Sequence, residues 1–245
     1  MTDHQIAPEL RALKLGGMAD EYIRQQTLAS AVAQPFSDRL MQMIHAENDA
    51  RADRKRARLL SASQLHHRAT PEDLIYSGDR GLDESQIKEM QNCNWIRHGH
   101  NATIVGATGS GKSYLAMALG RAAIRQGIPV RYYRTHLLLE DVEVARVDGS
   151  IRKLRAQLRK YGLLILDEFG LHELNDQAKE DLLDILEERV GRASTIVIGQ
   201  RAISEWHDFI GRPLMADAIL DRILHHSYNI NLRGKSLRER KPPDI

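Results

Sequence analysis

Between an apolar run at Ala102 to Val105 and a helical pattern at Tyr114 to Gln126 lies GATGSGKS, Gly106 to Ser113, with the complete spacing G-x-x-x-x-G-K-S. No other stretch constrains the fold as strongly. A glycine loop of this kind works where a buried strand delivers it to the N-terminus of a helix, whose N–H groups and partial positive charge then face phosphate oxygens. Gly106, Gly109 and Gly111 let the backbone close around those oxygens, and Gly127 and Pro129 end the following helix. The pattern makes Gly106, Ala107, Thr108, Gly109, Ser110, Gly111, Lys112, Ser113 and Tyr114 a segment for binding a nucleoside triphosphate. Lys112 is expected to reach the β- and γ-phosphates. Ser113 is expected to offer its hydroxyl to a magnesium ion, a hard cation that takes oxygen ligands.

A second element fits the first. Leu163 to Leu166 is a continuous apolar run, as expected of a strand covered on both faces of a parallel sheet, and it ends in Asp167-Glu168. Such sheets bind ligands at the carboxyl ends of their strands. Asp167 is expected to hold the magnesium through water, and Glu168, alternating to the other side, to polarise the attacking water as a general base.

The rest of the chain sets limits. With 245 residues, 42% of them hydrophobic, it can form one α/β domain of about 150 to 180 residues plus a smaller appendage. The single cysteine, Cys93, excludes an internal disulfide. Neither a signal peptide nor an apolar stretch of membrane-spanning length is visible, so a cytoplasmic location is expected. With 35 basic and 33 acidic residues the net charge is +2, and only local clustering can speak to partners.

Organisation changes near residue 70. Ile6, Leu10 and Leu13, then Met18, Tyr22 and Ile23, then Leu40, Met43 and Ile44 follow helical spacing, broken by Gly16-Gly17 and Pro35. Residues 1–68 therefore read as a small all-helical domain for partner or DNA interaction, and 69–245 as the nucleotide domain, entered through a linker at Arg68 to Asp83. The basic run RADRKRAR, Arg51 to Arg58, suits either a solvated helix face or a nucleic-acid contact. Beyond the phosphate loop, strands at Val130 to Arg134, Leu163 to Leu166 and Thr195 to Ile198 alternate with helices at Leu137 to Val147, Ser150 to Lys160 and Asp176 to Val190. A helical stretch begins at Ile203, and another helix spans Asp217 to His226. This alternation predicts an α/β fold with a parallel sheet flanked by helices.

Three more features bear on chemistry. Gln200 follows the strand at Thr195 to Ile198 and either orients water and γ-phosphate or caps a loop. Arg222, in DAILDRILHH, is either a solvated helix residue or a group that enters a neighbouring subunit's site. In SIRKLRAQLRK, Ile151, Leu154 and Leu158 share one face, leaving Arg152, Lys153, Arg155, Arg159 and Lys160 to point outward as a basic stripe for duplex DNA.

Taken together, GATGSGKS, LLILDE, Gln200 and DAILDR resemble the AAA+ ATPases of the DnaA/DnaC branch, and most closely the IstB-type ATP-binding proteins of insertion sequences. LKLGGM at 13 to 18, CNWIRHGHNATIVGATGSGKSYLA at 93 to 116, DEFG at 167 to 170 and ADAILDRILHHSYNINLRGKSLR at 216 to 238 extend the likeness over nearly the whole chain. The resemblance implies an AAA+ P-loop NTPase core without a full lid domain. It implies an ATP- and Mg2+-dependent transposition helper that forms an oligomer on duplex DNA, remodels it, and recruits or stimulates a partner transposase. It also implies Walker A roles for Lys112 and Ser113, Walker B roles for Asp167 and Glu168, sensor 1 at Gln200, the arginine finger at Arg222 and sensor 2 at Arg238. Gly199 stands where serine commonly precedes the sensor glutamine, and Ala107 replaces the usual proline.

Rival classes leave different marks. A GTPase would carry N-K-x-D and an ABC-type ATPase an LSGGQ-like signature; neither occurs. A small-molecule kinase does not explain Asp167-Glu168 with a distant Arg222. A DnaC-like helicase loader acting in replication shares the same ATPase core and is the main alternative. The third is a nucleotide-gated DNA scaffold whose turnover is incidental.

Overall fold

The computed structural model describes residues 5–28, 30, 33–66, 69–76, 80–234 and 236. They fall into two compact units, Met1–Arg58 and Leu59–Ile245. In chain order the helices α1 (Ile6–Ala12), α2 (Gly16–Thr27) and α3 (Phe36–Ser63) are followed by α4 (Glu84–Gln91) and α5 (Asn94–Arg97). Next come β1 (Asn101–Gly106), α6 (Lys112–Arg125), β2 (Val130–Arg134), α7 (Thr135–Val147), α8 (Ile151–Leu158) and β3 (Leu163–Phe169). The chain continues through α9 (Asp176–Glu187), β4 (Ser194–Gly199), α10 (Trp206–Ile210), α11 (Pro213–Leu224) and β5 (Ser227–Leu232).

Among the described residues five strands form one sheet in the order β2-β3-β4-β1-β5, every pair parallel. Alternation along β3 shows how both faces are filled. Leu163 and Ile165 join the cluster containing Ile104, Leu115, Leu119 and Ile196, whereas Leu164 and Leu166 join Leu138, Leu182, Trp206 and Ile219. A strand buried on both sides needs apolar residues in succession, and all four side chains are fully buried.

The sequence reading misses β5. That strand lies at the sheet edge, and its alternate positions Tyr228, Ile230 and Leu232 pack on the core, while Asn229 accepts a hydrogen bond from Thr103 Oγ1 at 2.7 Å. Polar alternation hides an edge strand from a search for apolar runs. The short helices α4 and α5 were also not anticipated beyond the linker. Asp83, at the end of the expected linker, caps α4 by accepting from the N–H groups of Ser85 and Gln86.

Within the first unit, Gly17 lets α2 approach α3 closely, because a Cβ there would lie 2.5 Å from Ala46 O. The buried Glu47 carboxylate accepts from Gly17 N at 2.8 Å and is gripped by Arg51 at 2.7 Å and Arg54 at 3.1 Å. Burial raises its pKa, but the Arg51 hydrogen bond and the Gly17 and Met18 amides outweigh that and hold it below the ordinary carboxylate range. Part of the basic run is therefore spent on Glu47.

In the second unit, Arg189 is 3% exposed and donates to Leu158 O, Tyr161 O, Ser194 O and Thr195 Oγ1. Burial pushes its pKa down to about 10. It joins the end of α8 to the start of β4, and Arg189→Ala strands several buried acceptors. The loss should be on the order of 3 kcal/mol in urea unfolding; an unchanged midpoint would remove this residue as a staple.

Candidate active site

The loop between β1 and α6 has the backbone its glycines permit. Gly106, Gly109 and Gly111 have φ of 149°, 80° and 94°, and a Cβ on Gly106 would meet Leu232 O at 2.3 Å. Lys112 is buried, and its Nζ donates to Gly106 O and Ala107 O at 2.8 Å each, so the ammonium lies within the loop. Ser113 and Tyr114 follow in the first turn of α6, both half-buried. Arg80, which sequence reasoning passed over, donates from Nη2 to Ser110 O at 2.6 Å, and its own carbonyl accepts from Arg233 N at 2.9 Å.

Parallel register brings the distant residues in. Val105 pairs with Gly199, so Gln200 emerges beside the loop, where Thr108 Oγ1 donates to its Oε1 at 2.9 Å. Gly199 is tightly enclosed: a Cβ would lie 3.1 Å from both Phe169 O and Trp206 Cζ2, which accounts for glycine here. Because β4 lies between β3 and β1, the end of β3 stands two strand spacings, about 10 Å, from the loop strand. A nucleotide's phosphates with their cation can bridge such a gap.

Asp167 is 5% exposed. Its Oδ2 accepts from Tyr132 OH at 2.8 Å and its Oδ1 from Glu168 N at 2.7 Å, while its backbone carbonyl accepts from Thr135 Oγ1 at 2.8 Å. Burial, and then the charge of Asp167, push the Tyr132 phenol well above its ordinary range, so it stays a donor. Tyr132 is thus a positioning residue that β2 alone did not reveal. Each carboxylate oxygen of Asp167 keeps acceptor capacity, and the Ser113 hydroxyl at the start of α6 is likewise an oxygen donor of the kind Mg2+ takes.

Glu168 has a left-handed backbone, φ 61°, in a bulge where β3 loses register with β4 between Leu166 and Phe169. Its carboxylate lies 3.6 Å from Arg134 Nε and 3.7 Å from His136 Nδ1. Neither neighbour was among the expected site residues.

Arg222 lies at the opposite edge of the sheet. Its carbonyl accepts from Asn101 Nδ2 at 2.7 Å, and Asn101 begins the strand that ends in the phosphate loop. The strand spans about 17 Å from Asn101 to Gly106, farther than an arginine side chain extends. The guanidinium meets Glu187 Oε2 at 2.6 Å and Asp221 Oδ2 at 3.1 Å; hydrogen bonding to Glu187 raises its pKa. Arg238 lies outside the described residues.

The basic stripe requires a correction. Arg152, Lys153, Arg159 and Lys160 are exposed, but Arg155 does not point freely outward. Its Nη2 is 2.5 Å from Asp184 Oδ2 and its Nη1 3.9 Å from Glu188 Oε1, while Arg159 Nε is 3.8 Å from Glu188 Oε2. The acids belong to α9 and the residue after it, so the periodicity of α8 could not show them.

A family model described as the IstB-like ATP binding protein matches residues 8–243. Two Sinorhizobium fredii proteins described as insertion-sequence ATP-binding proteins are 40% and 38% identical, covering 97% and 100% of this chain and 97% and 99% of their own lengths. A Pseudomonas fluorescens insertion-sequence ATP-binding protein is 39% identical over 82% of this chain and 87% of its own. Among solved structures, the DnaC helicase loader superposes with a TM-score of 0.56 at 17% identity, over 72% of this chain and 99% of that one. The replication initiator DnaA bound to AMPPCP and single-stranded DNA gives 0.59 at 18% identity, over 71% of this chain and 52% of that one. These likenesses show the fold alone, a parallel sheet flanked by helices that the chain shares with DnaC and DnaA. With its phosphate loop, acidic strand end and sheet order in place, the chain belongs to the IstB-like ATP-binding protein family.

Proposed function

We propose that this chain is an ATPase that assembles on duplex DNA, remodels it, and recruits or stimulates a partner transposase. One observation carries the reading: the phosphate loop, Asp167 and Gln200 lie toward the carboxyl edge of the sheet, while Arg222 is anchored at the other edge, beyond reach of its own loop. A site of this kind is completed by a neighbouring subunit. Lys112 neutralises the β- and γ-phosphates, Glu168 acts as general base, Gln200 positions the γ-phosphate or water, and Arg222 of the next subunit meets charge developing in the transition state. Ser113 and Asp167 would hold Mg2+, which supplies further charge neutralisation. Arg238 takes the sensor 2 role, and residues 1–68 serve partner or DNA interaction.

The insertion-sequence names of full-length relatives favour a transposition role over helicase loading, since the likeness to DnaC is one of fold. No helix among the described residues is long and apolar enough to cross a membrane, and we place the protein's work in the cytoplasm.

Electron microscopy with duplex DNA should show rings or filaments in ATP that are lost in ADP; monomers off DNA in both states would overturn the reading. DNA contact is assigned to Arg152, Lys153, Arg159 and Lys160. Alanine at Arg152, Lys153 and Lys160 together should lower the slope of log affinity against log salt by about 0.9 per lost contact. Arg155→Ala, already paired with acids, should leave that slope unchanged; the reverse pattern would refute the assignment.

A further inference from the structure

Beside Glu168 lies a cluster with chemistry of its own. His136 stands in the first turn of α7, Glu168 in the β3 bulge and His172 in the loop after it, and one ligand atom from each lies within 4.8 Å of the others. The imidazole centroids are 4.3 Å apart. His136 Nδ1 is shielded from solvent and makes no hydrogen bond.

Local backbone creates the juxtaposition. Glu168 and Gly170 are left-handed, at φ 61° and 82°, and Leu171 N donates to Glu168 O at 3.2 Å, so the chain turns back and places His172 near the carboxylate. The Thr135 bond to the Asp167 carbonyl, at 2.8 Å, holds the start of α7 against the same turn.

We propose that His136, Glu168 and His172 bind a divalent ion of the Zn2+ class, and that its binding withdraws the Glu168 carboxylate from hydrolysis; the second clause rests on the role of Glu168 proposed above. Two imidazoles and one carboxylate suit Zn2+, whereas Mg2+ prefers oxygen ligands alone. Tetrahedral Zn2+ with bonds of about 2.0–2.1 Å sets ligand atoms roughly 3.3 Å apart, so the cluster must contract by about 1.5 Å at most. His172, exposed and on a loop, can supply that movement. The three groups line a cavity of about 320 Å3 shared with Glu140, Glu143 and Glu173, whose charges favour a cation and whose space leaves a fourth position for water. Arg134 Nε, 3.6 Å from Glu168 Oε1, is the cation that the metal must outcompete.

The test uses the full chain and Zn2+ alone, followed by calorimetry, with Co2+ absorption reporting nitrogen ligation. One saturable equivalent is expected, weakened at least tenfold in His136→Ala and in His172→Ala. No such site in the wild type, or wild-type affinity retained in either variant, overturns the proposal. In Mg2+–ATP, stoichiometric Zn2+ should slow turnover at least tenfold in the wild type and leave His172→Ala unaffected. Equal slowing of both would place Zn2+ at the phosphate site and overturn the coupling. Histidine-dependent Zn2+ binding by a protein that hydrolyses no ATP even without Zn2+ would count against the ATPase reading while leaving the metal site standing.

Discussion

Arg222→Ala is expected to cut ATP turnover by roughly 10³-fold or more while leaving ATP affinity of the isolated subunit within a few-fold. The asymmetry would follow from the sheet: the residue is anchored beside Asn101, about 17 Å of strand from its own phosphate loop, so any contact it makes with nucleotide would have to cross a subunit boundary. Misfolding is not the expected cause of the loss. The Arg222–Glu187 pair is partly exposed, and such pairs contribute about 0–1 kcal/mol. In the proposed role the guanidinium would leave Glu187 for phosphate, exchanging one anionic partner for another. Mixing supplies the decisive measurement. Arg222→Ala and Lys112→Ala subunits should each be inactive, yet together regain turnover, because some sites then pair an intact loop with an intact arginine. Failure of the mixture to recover, with both variants still assembling on DNA, would sink the intersubunit site.

Glu168→Gln should lower turnover by about 10²- to 10⁴-fold, the range ordinarily contributed by a general base, without weakening nucleotide binding. Glutamine keeps the volume and hydrogen-bonding reach but cannot take a proton. The variant should therefore hold ATP and accumulate the DNA-bound assembly, which single-turnover hydrolysis and microscopy would both report. Turnover within tenfold of the wild type would remove Glu168 as the base. Full transposition activity with hydrolysis abolished would instead support a nucleotide-gated scaffold whose turnover is incidental.

Much of the core was legible because its signals are local. β2 runs over the same residues, Val130–Arg134, that the strand–helix alternation assigns to it, and the strands ending in Gly106 and Gly199 differ from expectation by a residue or so. Buried parallel strands announce themselves as continuous apolar runs, and the glycines of the loop are demanded by backbone angles that other residues adopt at a cost. β5 escaped because polar Asn229 and Asn231 interrupt Tyr228, Ile230 and Leu232, so the segment shows no apolar run. Arg155 was misread for a different reason: its acidic partner Asp184 is 29 residues further along and meets it only when α8 packs against α9.

The sequence alone therefore determined the phosphate loop, the acidic strand end and the alternation that makes the sheet parallel, since each depends on neighbours within a few residues. Tertiary structure decided which of these groups meet. It set Gln200 against Thr108, fixed Asp167 with Tyr132, neutralised Arg155, sent Arg222 to the far edge and brought His136 and His172 around Glu168. Those outcomes depend on strand order, register and one bulge, which arise from packing the whole core at once.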